Sequence, residues 1–304
     1  MKIDFAEGFY GPGIVPHRED KHGIDLDRNI FWVADAASEP HLPGQEKIYF
    51  NKWSGGRMVV ETIASVFSCK RSSASLTSTI LKANTTIGRI QLDHDGGLDG
   101  YSERGPSGYG PLANAGKLAG ASFAVAEIQE DSIRVLSCGD CLVILVFEDR
   151  IWVTENKAFC HVSENYRIID GLMKKHNNDR QGMWTEFASI LSERRGRDIN
   201  NPKSPDCFAT INGQPWLKKC WQITDLPLAK LKIILLLTDG FISDYRLTAP
   251  EKIQGLAATM AKDYRTIGPR AMLAIKRATA ALKQEKSYVS ADEATMVTVE
   301  ITET

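Results

Sequence analysis

Two carboxylates, Asp35 and Asp239, each close an apolar run and are each followed by a very small residue. The runs are Phe31-Trp32-Val33-Ala34-Asp35-Ala36 and Ile233-Ile234-Leu235-Leu236-Leu237-Thr238-Asp239-Gly240. Apolar runs of this length, bounded by turn residues, read as buried strands. A carboxylate at the tip of a buried strand is costly unless a metal ion or a cationic side chain neutralises it. Two more acidic stretches, Arg18-Glu19-Asp20 and Asp292-Glu293, lie at or near the ends of other strand-like runs. A lone Asp-Gly is usually just a turn. Four acidic stretches in such places point to a fold that gathers acids around divalent ions. Mg²⁺ and Mn²⁺ take oxygen ligands and keep several waters beside one or two carboxylates each. Two ions sharing a carboxylate can hold a water as nucleophile near neutral pH.

The elements that must position these acids follow from periodicity. Strands are expected at 29–34, 121–128, 132–137, 142–147, 150–154, 221–224, 232–237 and 294–301. Residues 1–35 read as strands with turns, Gly8 to Gly13 being the turn-rich part. Ser54 is placed to cap a helix that opens at Gly55-Gly56-Arg57. Further helices are expected at 75–90, 161–175, 183–195, 250–260 and 268–282. Residues 36–53 and 93–120 read as loops, the second long enough to be functional. Strand clusters with helices between them, and no internal repeat, argue an α+β fold in layers.

Bulk properties exclude several classes. The chain has 304 residues and a net charge of −1, so nothing draws it to nucleic acid or to an anionic membrane. No apolar run reaches the length of a membrane span. The N-terminal residues lack the apolar segment of a signal peptide. The six cysteines are scattered, so reduced thiols in a cytoplasm are expected. A monomer is expected.

The ordered set of motifs resembles the metal-dependent protein phosphatases of the 2C type (PPM). It comprises Glu19-Asp20, Val33-Ala34-Asp35-Ala36, Ser54-Gly55-Gly56 and Gly120-Ala121-Ser122-Phe123-Ala124. It continues with Val135-Leu136-Ser137-Cys138-Gly139-Asp140, Leu236-Leu237-Thr238-Asp239-Gly240 and Asp292-Glu293-Ala294-Thr295. The resemblance runs from about residue 8 to 301, and implies one catalytic domain over 1–304 with a flap-like insertion at about 155–220. The implied fold is a four-layer α-β-β-α sandwich, two antiparallel sheets flanked by helices. It further implies two Mn²⁺ or Mg²⁺ ions. Asp35 would bridge them, Ala36 would offer its backbone oxygen to one, and Asp239 and Asp292 would bind the other. Glu19 and Asp20 would bind directly or hold metal-bound waters. Asp140 would lie near any third ion. The reaction implied is attack of the bridging water on phosphoserine or phosphothreonine of a phosphorylated protein.

This chain departs from the family pattern in five places, the smallest being Glu293 where an Asp or Asn is more frequent. Val15 stands where an Arg usually grips phosphate, so either Arg18 takes that role or the phosphate is held differently. Ala36 replaces a Gly, which costs little only if its φ is negative. Ala37 stands where some members carry a His. Ser243 stands where many carry a further Asp, which argues against a third ion. These departures motivate an alternative: a weak or inactive phosphatase-fold module that binds a phosphoprotein or regulatory partner. Cys138 and Cys141 have redox-motif spacing but join two strands, so a tight turn with two small buried residues is expected. Trp184, Trp216 and Trp221 are expected to be packing anchors. The basic residues of 157–175 and 194–197 are expected to form solvated faces.

Overall fold

The computed structural model describes residues 2–12, 19–37, 49–69, 75–94, 118–155, 157–242, 249–283 and 293–302. The chain falls into two compact units. One comprises Met1–Asp35, Ser122–Phe159 and Gln222–Thr304; the other comprises Ala36–Ala121 and Cys160–Trp221.

The first unit holds two five-stranded antiparallel sheets, which makes the fold α+β. One sheet runs β1 (Lys2–Gly11), β12 (Ala294–Thr302), β11 (Leu231–Leu237), β8 (Leu142–Phe147), β9 (Ile151–Val153). The other runs β10 (Gln222–Pro227), β7 (Ser132–Cys138), β6 (Gly120–Ile128), β3 (Ile30–Ala37), β2 (Asp20–Asp25). Side chains alternate across a strand, so each strand supplies two faces. Phe31 and Val33, Ala124 and Ala126, Ile133 and Val135 meet Val143, Leu145, Ile234, Leu236, Val297 and Val299 between the sheets. The alternate residues of β8, β11 and β12, among them Ile144, Leu235 and Met296, pack against helix α6 (Ile253–Lys283) through Leu256, Ala257 and Met260. Each buried Val, Leu, Ile, Phe or Met among these contributes about 1.5–3 kcal/mol, and each Ala less.

The strand and helix expectations hold closely, with four exceptions. Gly8 to Gly11 are not a turn but the end of β1. Both glycines serve close approach: a Cβ would lie 2.1 Å from the His22 ring at Gly8 and 2.1 Å from Leu273 at Gly11. Within the stretch expected to be a loop, 49–54 form a two-residue hairpin, β4 (Tyr49–Phe50) and β5 (Trp53–Ser54). Asn51 and Lys52 at its tip have φ of 47° and 76°, the signature of a type I′ turn. Cys207 and Cys220 form a disulfide, whereas the other four cysteines are free. Finally, Trp184 is 52% exposed beside Phe187 and anchors no core.

The second unit contains α1 (Gly55–Phe67), α2 (Leu76–His94), α4 (Arg180–Asp198), α5 (Leu217–Cys220) and most of α3 (Lys157–Lys175). Ser54 caps α1 as expected, its Oγ accepting from the Arg57 N–H at 3.2 Å; such a cap contributes about 1 kcal/mol. A buried amide network ties α2 to the 200–214 segment: Gln91 donates to Asn212 O (2.9 Å) and Asn84 to Gln214 O (2.7 Å). Arg194 is not on a solvated face but donates to Asn165 (2.7 Å) and Glu164 (3.2 Å). No described helix is long and apolar enough to cross a membrane.

Candidate functional site

The apolar face between the sheets turns polar at one end, and the strand period says where. Asp35 continues the Phe31-Val33 face of β3, and Asp20 continues the face of β2 that places Ile24 against the core. Ser122 extends the Ala124-Ala126 face, Thr238 the Ile234-Leu236 face and Thr295 the Val297-Val299 face. Asp20 and Asp35 are direct cross-strand partners. Like charges at such a position repel, so this pair is stable only with a shared proton or a cation.

Hydroxyls and one further carboxylate hold the acids in place. Thr238 Oγ1 donates to Asp20 Oδ2 at 2.7 Å and itself accepts from the Thr295 N–H at 2.8 Å. The Asp20 N–H donates to Glu293 Oε2 at 2.8 Å, and Tyr10 donates its hydroxyl to the other oxygen of Glu293 at 3.0 Å. Ser122 Oγ donates to Asp140 Oδ1 at 2.5 Å and accepts from the Asp140 N–H at 3.1 Å. Asp239 opens a short 3₁₀ turn, Asp239–Phe241, just past β11.

The acids perturb one another. Desolvation, then the charges of Asp239, Asp20 and Asp140, holds the Asp35 carboxyl well above the carboxylate range. Desolvation, with the charges of Asp239 and Glu293 adding to it, pushes Asp20 from 3.8 up to about 7, although its bonds to Thr238 and Asp35 oppose the rise. A raised folded-state pKa contributes stability below the unfolded value that is lost as pH climbs through the folded one. The metal-free protein should therefore lose on the order of 1 kcal/mol between about pH 6.5 and about pH 8. In that window His22, whose pKa burial lowers from 6.5, stays neutral and does not interfere. Divalent cations bind ionised carboxylates, so added Mn²⁺ should reverse the slope. Thermal unfolding with chelator and with Mn²⁺ checks this; a metal-free midpoint that rises with pH would contradict it.

The structure thus brings together Asp20, Asp35, Asp140 and Asp239. Glu19 lies next to Asp20 and half-buried. Ala36 is buried on the opposite face of β3, and its φ is not positive, so alanine is unstrained there. Arg18 and Asp292 lie outside the described residues, as do Val15 and Ser243. Thr238, Ser122 and Glu293 lie within the motifs read from the sequence, which assigned them no such role, and Tyr10 carried no signal of its own. Cys138 is buried on the outer face of its sheet and donates weakly to Phe123 O (3.6 Å). Cys141 lies in the core between the sheets, so the two thiols face different layers.

The donor set fits a hard divalent cation in kind: carboxylates converge, and two buried hydroxyls at this end, Ser137 Oγ and Thr295 Oγ1, have no hydrogen-bond partner. Among the described residues, no three His, Cys, Asp or Glu side chains stand together as the ligands of one ion. That is compatible with ions that keep most of their waters beside one or two carboxylates.

Two sheets packed face to face with a helix outside, and acids at one end, define the class; solved structures make it particular. PstP/Ppp, a serine/threonine phosphatase of Mycobacterium tuberculosis, matches 98% of this chain and 99% of its own at 12% identity, with a TM-score of 0.52. The catalytic domain of PstP in complex with two manganese ions matches 98% of each chain at 12% identity, also with a TM-score of 0.52. Stp1 of Staphylococcus aureus, likewise a serine/threonine phosphatase, matches 100% of this chain and 96% of its own at 13% identity, with a TM-score of 0.50. No protein-family model matches, and no curated protein sequence does. The chain has the fold of the bacterial PPM serine/threonine phosphatases.

Proposed function

We propose that this protein hydrolyses phosphoserine and phosphothreonine in phosphoproteins, with Mn²⁺ or Mg²⁺ held by Asp35, Asp239, Asp292, Asp20 and the Ala36 carbonyl. The observation that carries the reading is the cross-strand Asp20–Asp35 pair with Asp239 beside it. Bound there, the cations would neutralise charge on the transferring phosphoryl group and supply a water acidic enough to attack it. The protein's part is positioning. Thr238 and Glu293 fix Asp20 from two sides, through its Oδ2 and its N–H. Ser122 fixes Asp140 in the same double fashion, through its Oδ1 and its N–H. Glu19 would hold a metal-bound water or bind directly, and Arg18 would grip phosphate.

The chain is read as one catalytic domain and a monomer, with a flap-like insertion at about 155–220. We read the setting as cytoplasmic: two exposed free thiols, Cys69 and Cys160, favour it, and the Cys207–Cys220 disulfide weighs against it. The test is phosphate release from phosphoserine and phosphothreonine peptides, with and without Mn²⁺. Metal-dependent turnover is expected. A second reading, a phosphoprotein-binding module with little or no catalysis, is motivated by Val15, Ala36 and Ala37, which stand where the family pattern has other residues. Titration calorimetry separates the two: no Mn²⁺ binding in the millimolar range would leave only the module.

A further inference from the structure

Helix α6 is broken. Gly268 has φ 73° and ψ 170°, outside the helical region, and Pro269 follows it. A proline at the first position of a new helical run loses no hydrogen bond. The second half, residues 269–283, therefore takes its own direction. Three of its residues, at helical spacing i, i+3 and i+4, sit on one face. Leu273 fills the space left by the missing side chain of Gly11. Arg277 Nη2 donates to Pro12 O at 2.5 Å. Lys276 Nζ donates to the carbonyl of Gly240, the residue directly after Asp239.

We propose that Lys276 is a positioning residue for the acid site, an inference that rests on the metal-binding reading above. Two backbone bonds close the turn that carries Asp239, Phe241 N–H to Thr238 O (3.2 Å) and Ile242 N–H to Asp239 O (2.7 Å). The Lys276 ammonium adds a charge-assisted tether from a different element, docked independently through Leu273 and Arg277. It thereby fixes the direction in which Asp239 projects. Arg277 applies the same device to Pro12, at the far end of β1, so one helical half holds the backbone at both Gly240 and Pro12.

This role makes a prediction opposite in sign to that of bare charge. A lysine that acted only through its charge would repel a cation, and its removal would tighten Mn²⁺ binding. A positioning lysine does the reverse, since its loss lets the ligand wander. In Lys276→Met, which keeps the apolar stem, calorimetry with MnCl₂ should show affinity weakened about tenfold, the scale typical of residues that orient ligands from behind. Lys276→Arg keeps a cationic donor and should stay within about twofold. Hydrogen exchange on the metal-free full chain supplies a readout independent of metal: the Ile242 amide should exchange about tenfold faster in Lys276→Met. Unchanged or tighter Mn²⁺ binding, or a lowered melting temperature with affinity intact, would overturn the inference. A wild-type chain that binds no Mn²⁺ would instead overturn the metal-binding reading. Ile242 protection would then still decide whether Lys276 holds the turn, and unchanged protection would overturn that as well.

Discussion

Asp35→Asn should abolish metal-dependent phosphate release, by about 10³-fold or more, while making the metal-free protein more stable. The two effects have one cause. Asp35 stands opposite Asp20 across the β2–β3 ladder, and desolvation together with the charges of Asp239, Asp20 and Asp140 drives its carboxyl far above its usual range. Without a counter-ion, folding has to bury these acids either charged against one another or with a proton taken up. Asn has the same shape and no charge, so it removes the repulsion and should raise the thermal midpoint in chelator. The same change removes half of the charge of the cross-strand pair that would hold the cations. A loss of several kcal/mol of transition-state stabilisation corresponds to three orders of magnitude in rate. Asp239→Asn should lose activity to a similar degree. Activity assays and unfolding curves on the same preparations check both halves. Retained activity in either variant would remove these acids from the site. A lower melting point with lost activity would show that Asp35 supports the fold rather than the chemistry.

The strands and the acids at their ends were legible because both are local. The run from Phe31 to Ala36 declares a strand, and a period of two places Asp35 on the same face as Phe31 and Val33 without further information. The helix opening at Gly55 was legible through Ser54. What holds the acids was not legible, because its partners are remote. Thr238 bonds Asp20 across 218 residues of sequence and Glu293 bonds the Asp20 N–H across 273. No spacing rule reaches that far. Glycines misled for a related reason. Gly8 and Gly11 look like turn residues in sequence, but the structure uses them for proximity to His22 and Leu273. The Cys207–Cys220 bridge joins residues whose spacing carries no signal, and only the fold brings them to a Cα separation of 6.0 Å.

Gly240→Ala should be the most damaging small substitution at the site. A Cβ at Gly240 would lie 1.9 Å from the Glu293 carbonyl oxygen and 2.6 Å from Ala294 Cα. Both are backbone atoms at the entry to β12, so no side-chain rotation relieves the clash. The strand must move, and it carries the other half of the acid scaffold. Separating β11 from β12 at this end strains the Thr238 N–H bond to Thr295 O (2.9 Å) and the Thr295 N–H bond to Thr238 Oγ1 (2.8 Å). The hydroxyl that holds Asp20 is that same Thr238 Oγ1. Overpacking of this kind costs about 1–3 kcal/mol, and each weakened hydrogen bond adds about 1 kcal/mol. A total of about 3 kcal/mol or more is expected, together with loss of Mn²⁺ affinity, because the acids that would bind it lose their common frame. Gly255→Ala, on the first half of α6, is the control. Nothing lies within 4 Å of a Cβ there, so the usual helical preference for alanine should stabilise by about 0.5–1 kcal/mol. Denaturant midpoints of the two variants should therefore move in opposite directions. A Gly240→Ala protein with an unchanged midpoint and intact Mn²⁺ binding would mean that the β11–β12 end yields freely, and that the site does not depend on its rigidity.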